Sequence, residues 1–329
     1  MAAETDILIV GAGPTGLYGA YYAGFRGLDV IVMDSLPEPG GQVNAMYPEK
    51  MIYDIAGFRA VKGRDLVAGL LDQAAAFSPT FLLGQEAATL EHLPDGRLHV
   101  TTTAGEELIA KAIVLAGGIG TFTPRPLPAG EEWVGRGVEY FVPRPADYAG
   151  LDVLVVGGGD SAVDWCLALH PVARSVRLVH RRDAFRAHAA SLNQAKELEV
   201  EFLTPYTVSG LHGDGTLEAV EVTRVRSSDD VRRLECQAVV AALGFTADLG
   251  PLESWGVEMV DRHIVVDSRM ATNVPRVYAA GDITEYPGKV RLIAVGFGEA
   301  ATAINNAAVE INPELDLFPG HSSDSEAAA

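Results

Sequence analysis

The beginning of the chain alternates between short apolar runs and helically spaced apolar residues. Residues 7–10 are a β-branched run, the residues after Gly11 repeat with helical spacing, and "DVIVMD" is a second apolar run. Apolar runs of about four to eight residues are typical of strands, and a period near 3.6 indicates a helix. The pattern therefore predicts a strand, a helix and a second strand, which is a βαβ unit.

The turn after the first strand carries three glycines, Gly11, Gly13 and Gly16, in the order G-x-G-x-x-G. In a dinucleotide-binding turn the first allows a tight bend, the second lets a pyrophosphate approach the backbone, and the third lets helix and strand pack closely. Pro14 suits the first helical turn, where its N–H has no intrahelical partner. Asp34 ends the second strand, where a carboxylate accepts bonds from a ribose hydroxyl. A glycine-rich structural turn is the alternative.

The same pattern returns in "GLDVLVVGGGDSAVDWC", where Gly157 and Gly159 precede Ala162 in the variant G-x-G-x-x-A. At the end of the next strand, where an acid would hold a free ribose, stands a cationic group: His180, Arg181, Arg182 and Arg186. Arginine offers a planar fork of donors to phosphate oxygens, which a carboxylate would repel. The second site is therefore predicted to prefer NADPH to NADH. A solvated basic helix start is the other interpretation.

Two dinucleotide sites in one chain imply two cofactors that exchange hydride, which indicates a flavoprotein. A third block supports this: a strand ends at Ala280, Gly281 and Asp282, and a small-residue helix is predicted to start near Gly298. The carboxylate of such a strand end can meet a sugar-like chain, and the helix start can direct its dipole at the pyrimidine end of a flavin. A core strand and a packed helix would also fit.

Composition limits the remaining classes. The 329 residues, 48% apolar and 21% charged, indicate a soluble globular protein of about two domains. The net charge of -19 argues against binding to nucleic acid or to an anionic membrane. Cys166 and Cys236 are far apart, so neither a disulfide framework nor a CxxC pair is present, and no metal site is predicted. Without a basic segment before "DILIV" or a membrane-length apolar run, we expect a cytoplasmic protein.

The order "GAGPTG", "PGGQ", "GGGDSA", "HRRDAFR" and "YAAGDI" resembles the thioredoxin-reductase-like flavoproteins over essentially the whole chain. Within them, "YPEKMIYDIAGF", "YPGK", "GFGEAA" and "PGHSS" resemble the ferredoxin–NADP reductases of the second type. Thioredoxin reductases carry a Cys-x-x-Cys pair shortly before the second glycine motif, where this chain has "YFVPRP" at residues 140–145. Electrons must therefore pass from the flavin directly to an external acceptor.

The resemblance implies an α/β fold of two Rossmann-like three-layer domains, with the second inserted in the first. Residues 1–118 and 247–329 would bind FAD, residues 119–246 would bind NADP(H), and about 322–329 would be a mobile tail. The crossings "AGGIGTFTPRP" and "AALGFTADLG" are interpreted as paired linkers whose glycines let the domains swing. A homodimer is expected from the resemblance alone.

The implied reaction passes hydride from NADPH to FAD and single electrons from FAD to ferredoxin or flavodoxin, with no acid or base required of the protein. Three alternatives stay open. The chain could be an NADPH diaphorase that reduces a quinone or a ferric chelate, or a thioredoxin reductase that uses the cysteines of a partner. It could also be a redox-sensing protein that binds FAD and NADPH without useful turnover.

The resemblance and the glycine motifs together predict the site residues. The FAD contacts are Gly11, Gly13, Thr15, Gly16, Asp34, Gly41, Gln42, Tyr47, Asp54, Ala87, Phe122, Gly281, Asp282, His321 and Ser322. The NADPH contacts are Gly157, Gly159, Asp160, Ser161, His180, Arg181, Arg182 and Arg186. Tyr47 would lie flat on one flavin face, unless it is an ordinary core tyrosine. His321 would stack on the other face, from the same or a neighbouring subunit, with Ser322 near N5.

An acidic electron partner would be repelled by so acidic a chain unless basic residues gather near the flavin. A candidate group follows "YPEK": Lys50, Arg59, Lys62 and Arg64. The same residues could equally form a solvated face.

Overall fold

The computed structural model describes residues 2–142, 144–227 and 229–321, and of residues 121–123 and 246–248 it describes the backbone alone. The strands are β1 (Ala3–Val10), β2 (Val30–Asp34), β3 (Met51–Ile52), β4 (Val61–Lys62), β5 (Thr80–Leu83), β6 (Ala87–His92), β7 (Leu98–Thr102), β8 (Glu107–Leu115), β9 (Thr121–Pro124), β10 (Val138–Glu139), β11 (Asp152–Val156), β12 (Ser175–Val179), β13 (Glu201–Leu203), β14 (Tyr206–His212), β15 (Ala219–Arg224), β16 (Val231–Glu235), β17 (Ala238–Ala241), β18 (Phe245–Asp248), β19 (Met259–Val260), β20 (His263–Val265), β21 (Val277–Ala279) and β22 (Thr284–Glu285). The α-helices are α1 (Pro14–Phe25), α2 (Gly41–Met46), α3 (Gly63–Ala75), α4 (Asp160–Leu169), α5 (Ala189–Glu197) and α6 (Ile293–Ile311). None of the helices in the described ranges is both long and apolar enough to cross a membrane.

The chain divides into two compact units. The first comprises Met1–Phe122 and Ala247–Ala329, and the second, Thr123–Thr246, is inserted between them. The two crossings are β9 and β18, which pair with each other as a two-stranded sheet. Gly118, Gly120 and Gly244, beside these strands, have φ of +60°, +91° and +85°, which favours glycine. The swing of the domains about these crossings stays a prediction.

The first unit is built on a mixed sheet in the order β5-β2-β1-β8-β7-β6. The strands β5, β2, β1 and β8 run parallel, β21 pairs parallel with the end of β8, and β7 and β6 are added antiparallel. Ile7, Leu8 and Ile9 are fully buried, because both faces of a parallel sheet are covered. The strand begins before the predicted residue 7, because Ala3–Thr5 also pair with Leu108–Ala110 of β8.

Helix α6 packs against α1 and against β8. It begins at Ile293 rather than near Gly298, which corrects the predicted start. Ile293 and Phe297 pack on the apolar cluster that contains Leu17 and Val43. The first turn of α6 is therefore held by side-chain packing that the small residues after it do not reveal.

The second unit has three layers around a parallel sheet in the order β10-β17-β11-β12-β13. Alternate residues of β11 face opposite sides: Val153 and Val155 join the cluster formed with α4, whereas Leu154 and Val156 join the cluster formed with the antiparallel sheet β14-β15-β16. This alternation is the period of two expected of a strand covered on both faces. The predicted α/β class with two Rossmann-like three-layer domains, the second inserted in the first, is confirmed.

Candidate functional site

A cleft opens at the carboxyl ends of β1 and β2 in the first unit. Ligands of doubly wound folds bind at this edge of the sheet. The predicted residues that line it are Gly11, Gly13, Thr15, Asp34, Gly41, Gln42, Tyr47, Ala87 and Asp282. The structure therefore brings most of the predicted FAD contacts to one place.

The three glycines of the first turn differ in what surrounds them. A Cβ on Gly11, which has φ of +116°, would lie 2.4 Å from the carbonyl oxygen of Ala116, and one on Gly16 would lie 1.8 Å from that of Gly11. Among the described residues, a Cβ on Gly13 would meet only the Cα of Gly41, at 4.0 Å, on the side of the cleft. The first and third glycines thus permit close packing, while the second leaves room for a ligand at the N-terminus of α1.

Asp34 joins the end of β2 to this turn. Its Oδ2 accepts a hydrogen bond from the Ala12 N–H at 2.6 Å, and its Oδ1 accepts one from the Leu36 N–H at 2.8 Å. Burial raises the pKa of the carboxyl, and the two N–H donors oppose that rise. The carboxylate is therefore held in one orientation at the cleft, with lone pairs left for a ligand hydroxyl.

The "PGGQ" loop closes one side of the cleft. Gly41 has φ of +53°, and a Cβ there would lie 2.9 Å from the Cα of Gly13. A Cβ on Gly118 would lie 2.8 Å from the Gln42 Nε2. Backbones of two loops therefore approach each other closely, and the Gln42 amide lies beside the end of β8.

Tyr47 is a half-buried side chain of the cleft wall. Burial raises the pKa of its phenol, and the negative charges of Asp282 and Asp54 raise it further. Asp282 lines the cleft with Tyr47, whereas Asp54 is exposed and is not among the lining residues in the described part of the chain. The phenol therefore stays protonated near neutral pH and can donate a hydrogen bond.

Thr15 lies where three elements meet. A Cβ on Gly281, at the end of β21, would lie 2.9 Å from the Thr15 Oγ1, and one on Gly296, in α6, would lie 2.4 Å from it. Gly281 has φ of +84°, so a side chain there would also be strained. The starts of α1 and α6 thus converge on the Gly281 turn.

Gln85 is a cleft residue that sequence reasoning missed. Its Oε1 is buried and has no hydrogen-bond partner among the described residues, although the side chain lines the cleft. Buried acceptors are nearly always paired, so a ligand donor would satisfy it. Its only signal in the sequence is a polar residue before the strand that carries Ala87, which is 3% exposed.

His321 does not reach the cleft of its own chain in the structure. It is exposed, and its ring contacts Phe318 at a centroid distance of 5.2 Å and an angle of 73°. The segment before it is tied to Arg26, which donates to the carbonyl of Asp316 at 2.8 Å. Arg26 follows the last residue of α1, about 18 Å along the helix from its cleft end. The Phe122 side chain, Ser322 and the predicted tail 322–329 lie outside the described residues.

The second glycine turn has a similar construction in the second unit. A Cβ on Gly157 would lie 2.4 Å from the Ala242 carbonyl oxygen and 2.8 Å from the Ala162 Cβ. A Cβ on Gly158 would lie 2.2 Å from the His180 Cε1, whereas one on Gly159 would have no heavy atom within 4 Å among the described residues. Gly159 therefore presents an open backbone at the start of α4.

The cationic residues gather beside this turn. Three of them are exposed: Arg181, Arg182 and Arg186. The pKa of His180 is lowered mainly by the burial of its own ring and further by the charges of these arginines. Arg186 lies in a loop rather than at a helix start, because α5 begins only at Ala189.

Two bonds tie this loop to the glycine turn. The Arg186 N–H donates to the Gly158 carbonyl at 2.8 Å, and the His188 N–H donates to the Asp160 Oδ1 at 2.9 Å. Asp160 thus anchors the loop, and the neighbouring Ser161 is exposed.

Both cysteines are buried in the second unit. Cys166 is 0% exposed in the cluster on one face of the sheet, and Cys236 is 1% exposed in the cluster on the other face. Burial raises the pKa of both thiols, that of Cys236 to about 12. The expected structural roles are thus consistent with their surroundings, and neither forms a dithiol.

The basic group after "YPEK" is partly neutralised. Lys62 pairs with Glu49 at 3.4 Å, and Arg64 pairs with the same carboxylate. Arg59 is exposed on the same hairpin, beside the exposed side chain of Phe58. The positive field of this surface is therefore weaker than four cations suggest.

Comparison with known proteins agrees with this arrangement. The model of the pyridine nucleotide-disulphide oxidoreductase family matches residues 5–307. The chain is 62% identical to the ferredoxin–NADP reductase of Frankia alni, over 98% of this chain and 100% of that one, and 48% identical to that of Thermus thermophilus, over 99% of each. Among solved structures, the thioredoxin reductase of T. acidophilum is similar with a TM-score of 0.72 and 25% identity, over 93% of this chain and 98% of that one.

Proposed function

Because this chain belongs to the pyridine nucleotide-disulphide oxidoreductase family, and within it to the ferredoxin–NADP reductases, we propose that it passes hydride between NADPH and FAD and single electrons between FAD and a ferredoxin or flavodoxin. The observation that carries the proposal is the cleft of the first unit, which combines the glycine turn, Asp34, Tyr47 and Asp282. The unpaired Gln85 oxygen and the open face of Gly13 fit a bound dinucleotide.

When bound, FAD would supply the conversion between two-electron hydride transfer and one-electron transfer, which would couple NADPH to a one-electron acceptor. The residues of the chain bind and orient it. The free N–H groups at the start of α1 would hold the pyrophosphate, and Asp34 would accept a hydrogen bond from a ribose hydroxyl. Gln85 accepts from a donor at the same end of the cleft. Tyr47 would cover one face of the ring, and burial, which raises the pKa of its phenol, keeps the phenol neutral near neutral pH.

In the second unit we assign NADPH to the turn at Gly157 and Gly159. The three exposed guanidiniums beside it would hold the 2′-phosphate, because planar donor forks match phosphate oxygens. His180 packs against Gly158 as a neutral ring, since burial and the guanidiniums lower its pKa. Asp160 would position the arginine loop through the bond that it accepts from the His188 N–H.

The route of the electrons follows from the buried thiols. Cys166 and Cys236 lie in different apolar clusters with raised pKa values, so neither supplies a thiolate. Thiolate is the reactive form in disulfide exchange. This supports direct transfer to an external acceptor.

We also propose a cytoplasmic homodimer, in which His321 and Ser322 would reach the flavin of the neighbouring subunit.

The decisive experiment compares electron acceptors. The purified chain should be yellow and release FAD on heating, and it should oxidise NADPH with ferredoxin or flavodoxin at a higher kcat/KM than with a quinone, a ferric chelate or a disulfide reagent. A higher kcat/KM with the quinone or the ferric chelate would assign the chain as a diaphorase. A protein that binds FAD and NADPH without turnover would instead be a redox-sensing protein.

Removal of residues 318–329 tests the tail separately. If His321 covers the flavin, the truncated protein should show a changed flavin absorption spectrum and a changed rate of hydride transfer. Mixed dimers of truncated and inactive full-length chains would then tell which subunit supplies the residue. An unchanged spectrum and rate would mean that the tail has no role at the flavin.

A further inference from the structure

A buried group of polar side chains lies behind the Gly281 turn. It consists of Thr284, Tyr286, Lys289 and Glu299 with the backbone of Gly281, and is called here the Lys289–Glu299 cluster. The side chain of Lys289 is 1% exposed and that of Glu299 is 4% exposed. Because desolvation offsets most of the attraction in a buried ion pair, stability alone gives little reason for such a pair.

Every oxygen of Glu299 is engaged. Its Oε2 accepts from the Gly281 N–H at 2.7 Å, and the Thr284 hydroxyl, which donates to the Gly281 carbonyl at 2.8 Å, lies 3.4 Å from it. Its Oε1 accepts from the Tyr286 hydroxyl at 2.6 Å and from the Lys289 ammonium at 2.5 Å. The ammonium also donates to the Gly281 carbonyl at 2.9 Å. The cluster therefore holds both backbone polar groups of one residue.

The donor from Tyr286 is permanent under ordinary conditions. Burial and the hydrogen bond to Glu299 raise the pKa of the phenol to about 12. The Lys289 ammonium also lies 5.5 Å from the centre of the Tyr286 ring. The balance of charge within the cluster thus rests on one cation and one anion.

Gly281 connects this cluster to the cleft. On one side it bonds to Glu299, and on the other a Cβ would lie 2.9 Å from the Thr15 Oγ1. Asp282, the next residue, lines the cleft. Glu299 itself lies in the second turn of α6, whose first residue, Ile293, also lines the cleft. An unbalanced charge at Glu299 or Lys289 would therefore act on the cleft through a short path of buried protein.

We propose that Lys289 and Glu299 are positioning residues that hold the Gly281–Asp282 turn and set the reduction potential of the bound flavin by the balance of their charges. The inference rests on the proposed FAD site. Reduction adds electrons to the flavin, so a buried anion nearby opposes it and a buried cation favours it. The paired cluster is neutral, and each partner cancels the effect of the other.

The test uses Lys289→Met, Glu299→Gln and the double variant. The midpoint potential of the flavin is measured by anaerobic titration followed by absorbance. Lys289→Met leaves the Glu299 anion unbalanced and should lower the potential, whereas Glu299→Gln leaves the Lys289 cation unbalanced and should raise it. The double variant should return close to the wild type. Lys289→Met should also weaken FAD binding about tenfold or more.

Arg291→Met is the matched control. Arg291 lies two positions from Lys289 and pairs with Glu285 at 2.6 Å, but both side chains are more than a third exposed. Solvent screens such a pair, so its removal should leave the potential unchanged.

If wild type binds FAD but the midpoint potentials of the two single variants shift in the same direction, or do not shift, the inference is overturned. Should Lys289→Met fail to fold, Glu299→Gln and the double variant decide. A wild type that takes up no FAD would refute the proposed function instead.

Discussion

The tightest contact in the first glycine turn leads to a quantitative prediction. In Gly16→Ala the new Cβ would lie 1.8 Å from the carbonyl oxygen of Gly11, about 1.6 Å short of ordinary contact. The nearest atom belongs to the backbone, so α1 and β1 must separate. Overpacking of this kind costs about 1–3 kcal/mol, which lowers the melting temperature of a unit of this size by about 2–12 °C.

The same displacement moves the N–H groups of α1 away from the pyrophosphate. Loss of one charge-assisted hydrogen bond, about 1.5–3 kcal/mol, raises the Kd for FAD about 10- to 150-fold. We therefore expect Gly16→Ala to lose both thermal stability without FAD and affinity for FAD. Thermal unfolding of the FAD-free protein and fluorescence titration with FAD measure the two quantities.

Gly13→Ala is the matched variant, because the nearest atom that its Cβ would meet in the described part of the chain is the Cα of Gly41, at 4.0 Å. Without FAD it should have the same melting temperature as wild type. It should nevertheless bind FAD weakly, because the methyl group would stand where the pyrophosphate approaches the backbone. The reasoning would be refuted if FAD-free Gly16→Ala melted like wild type, or if Gly13→Ala lowered the melting temperature equally.

Three further predictions concern charge. Arg182→Ala should raise the KM for NADPH about 10- to 100-fold and leave that for NADH unchanged, because one phosphate contact is lost. Steady-state kinetics with both nucleotides measure this, and Arg233→Ala, which removes an exposed arginine of β16, is the control. An equal change of KM for both nucleotides would contradict the prediction. The folded pKa of Tyr47 lies above the ordinary value of 10, so its contribution to stability is full below pH 10 and is lost as the pH rises through the folded pKa. The free energy of unfolding, measured by urea titration, should therefore fall less for Tyr47→Phe than for wild type as the pH rises above 10. If it fell equally with pH in both proteins, the prediction would be wrong. Arg59→Glu should slow the reduction of ferredoxin about two- to fivefold at low salt and make that rate less dependent on salt. The rate with a small acceptor should stay unchanged. If the salt dependence of the ferredoxin rate were unaltered, Arg59 would not belong to the docking surface.

Features that depend on neighbouring residues in the chain could be predicted from the sequence. The glycine turns, the proline at the start of α1 and the strand end at Asp34 follow from local backbone requirements. The burial of Cys166 follows from its place in a predicted helix, and α4 confirms that helix. Local signals are strong here because a dinucleotide turn demands particular residues at fixed offsets.

Features that depend on distant pairing could not be predicted. Glu299 lies among small residues of α6, and the sequence alone would predict an exposed glutamate on a helix. Only the folded chain brings Lys289 to it. Gln85 becomes significant only through burial without a partner. The alternative interpretation of the Arg186 segment, a basic helix start, fails because bonds to Gly158 and Asp160, distant in sequence, hold the segment in an irregular form.

The two cysteines give the second unit a built-in pair of unfolding probes. Cys166 and Cys236 lie on opposite faces of one sheet, and both are inaccessible to a thiol reagent in the folded state. Alkylation of each thiol then requires opening of its own face, so the two labelling rates report on two different local motions. Mass spectrometry of the labelled peptides would resolve these motions in the unmodified protein, without any engineered residue.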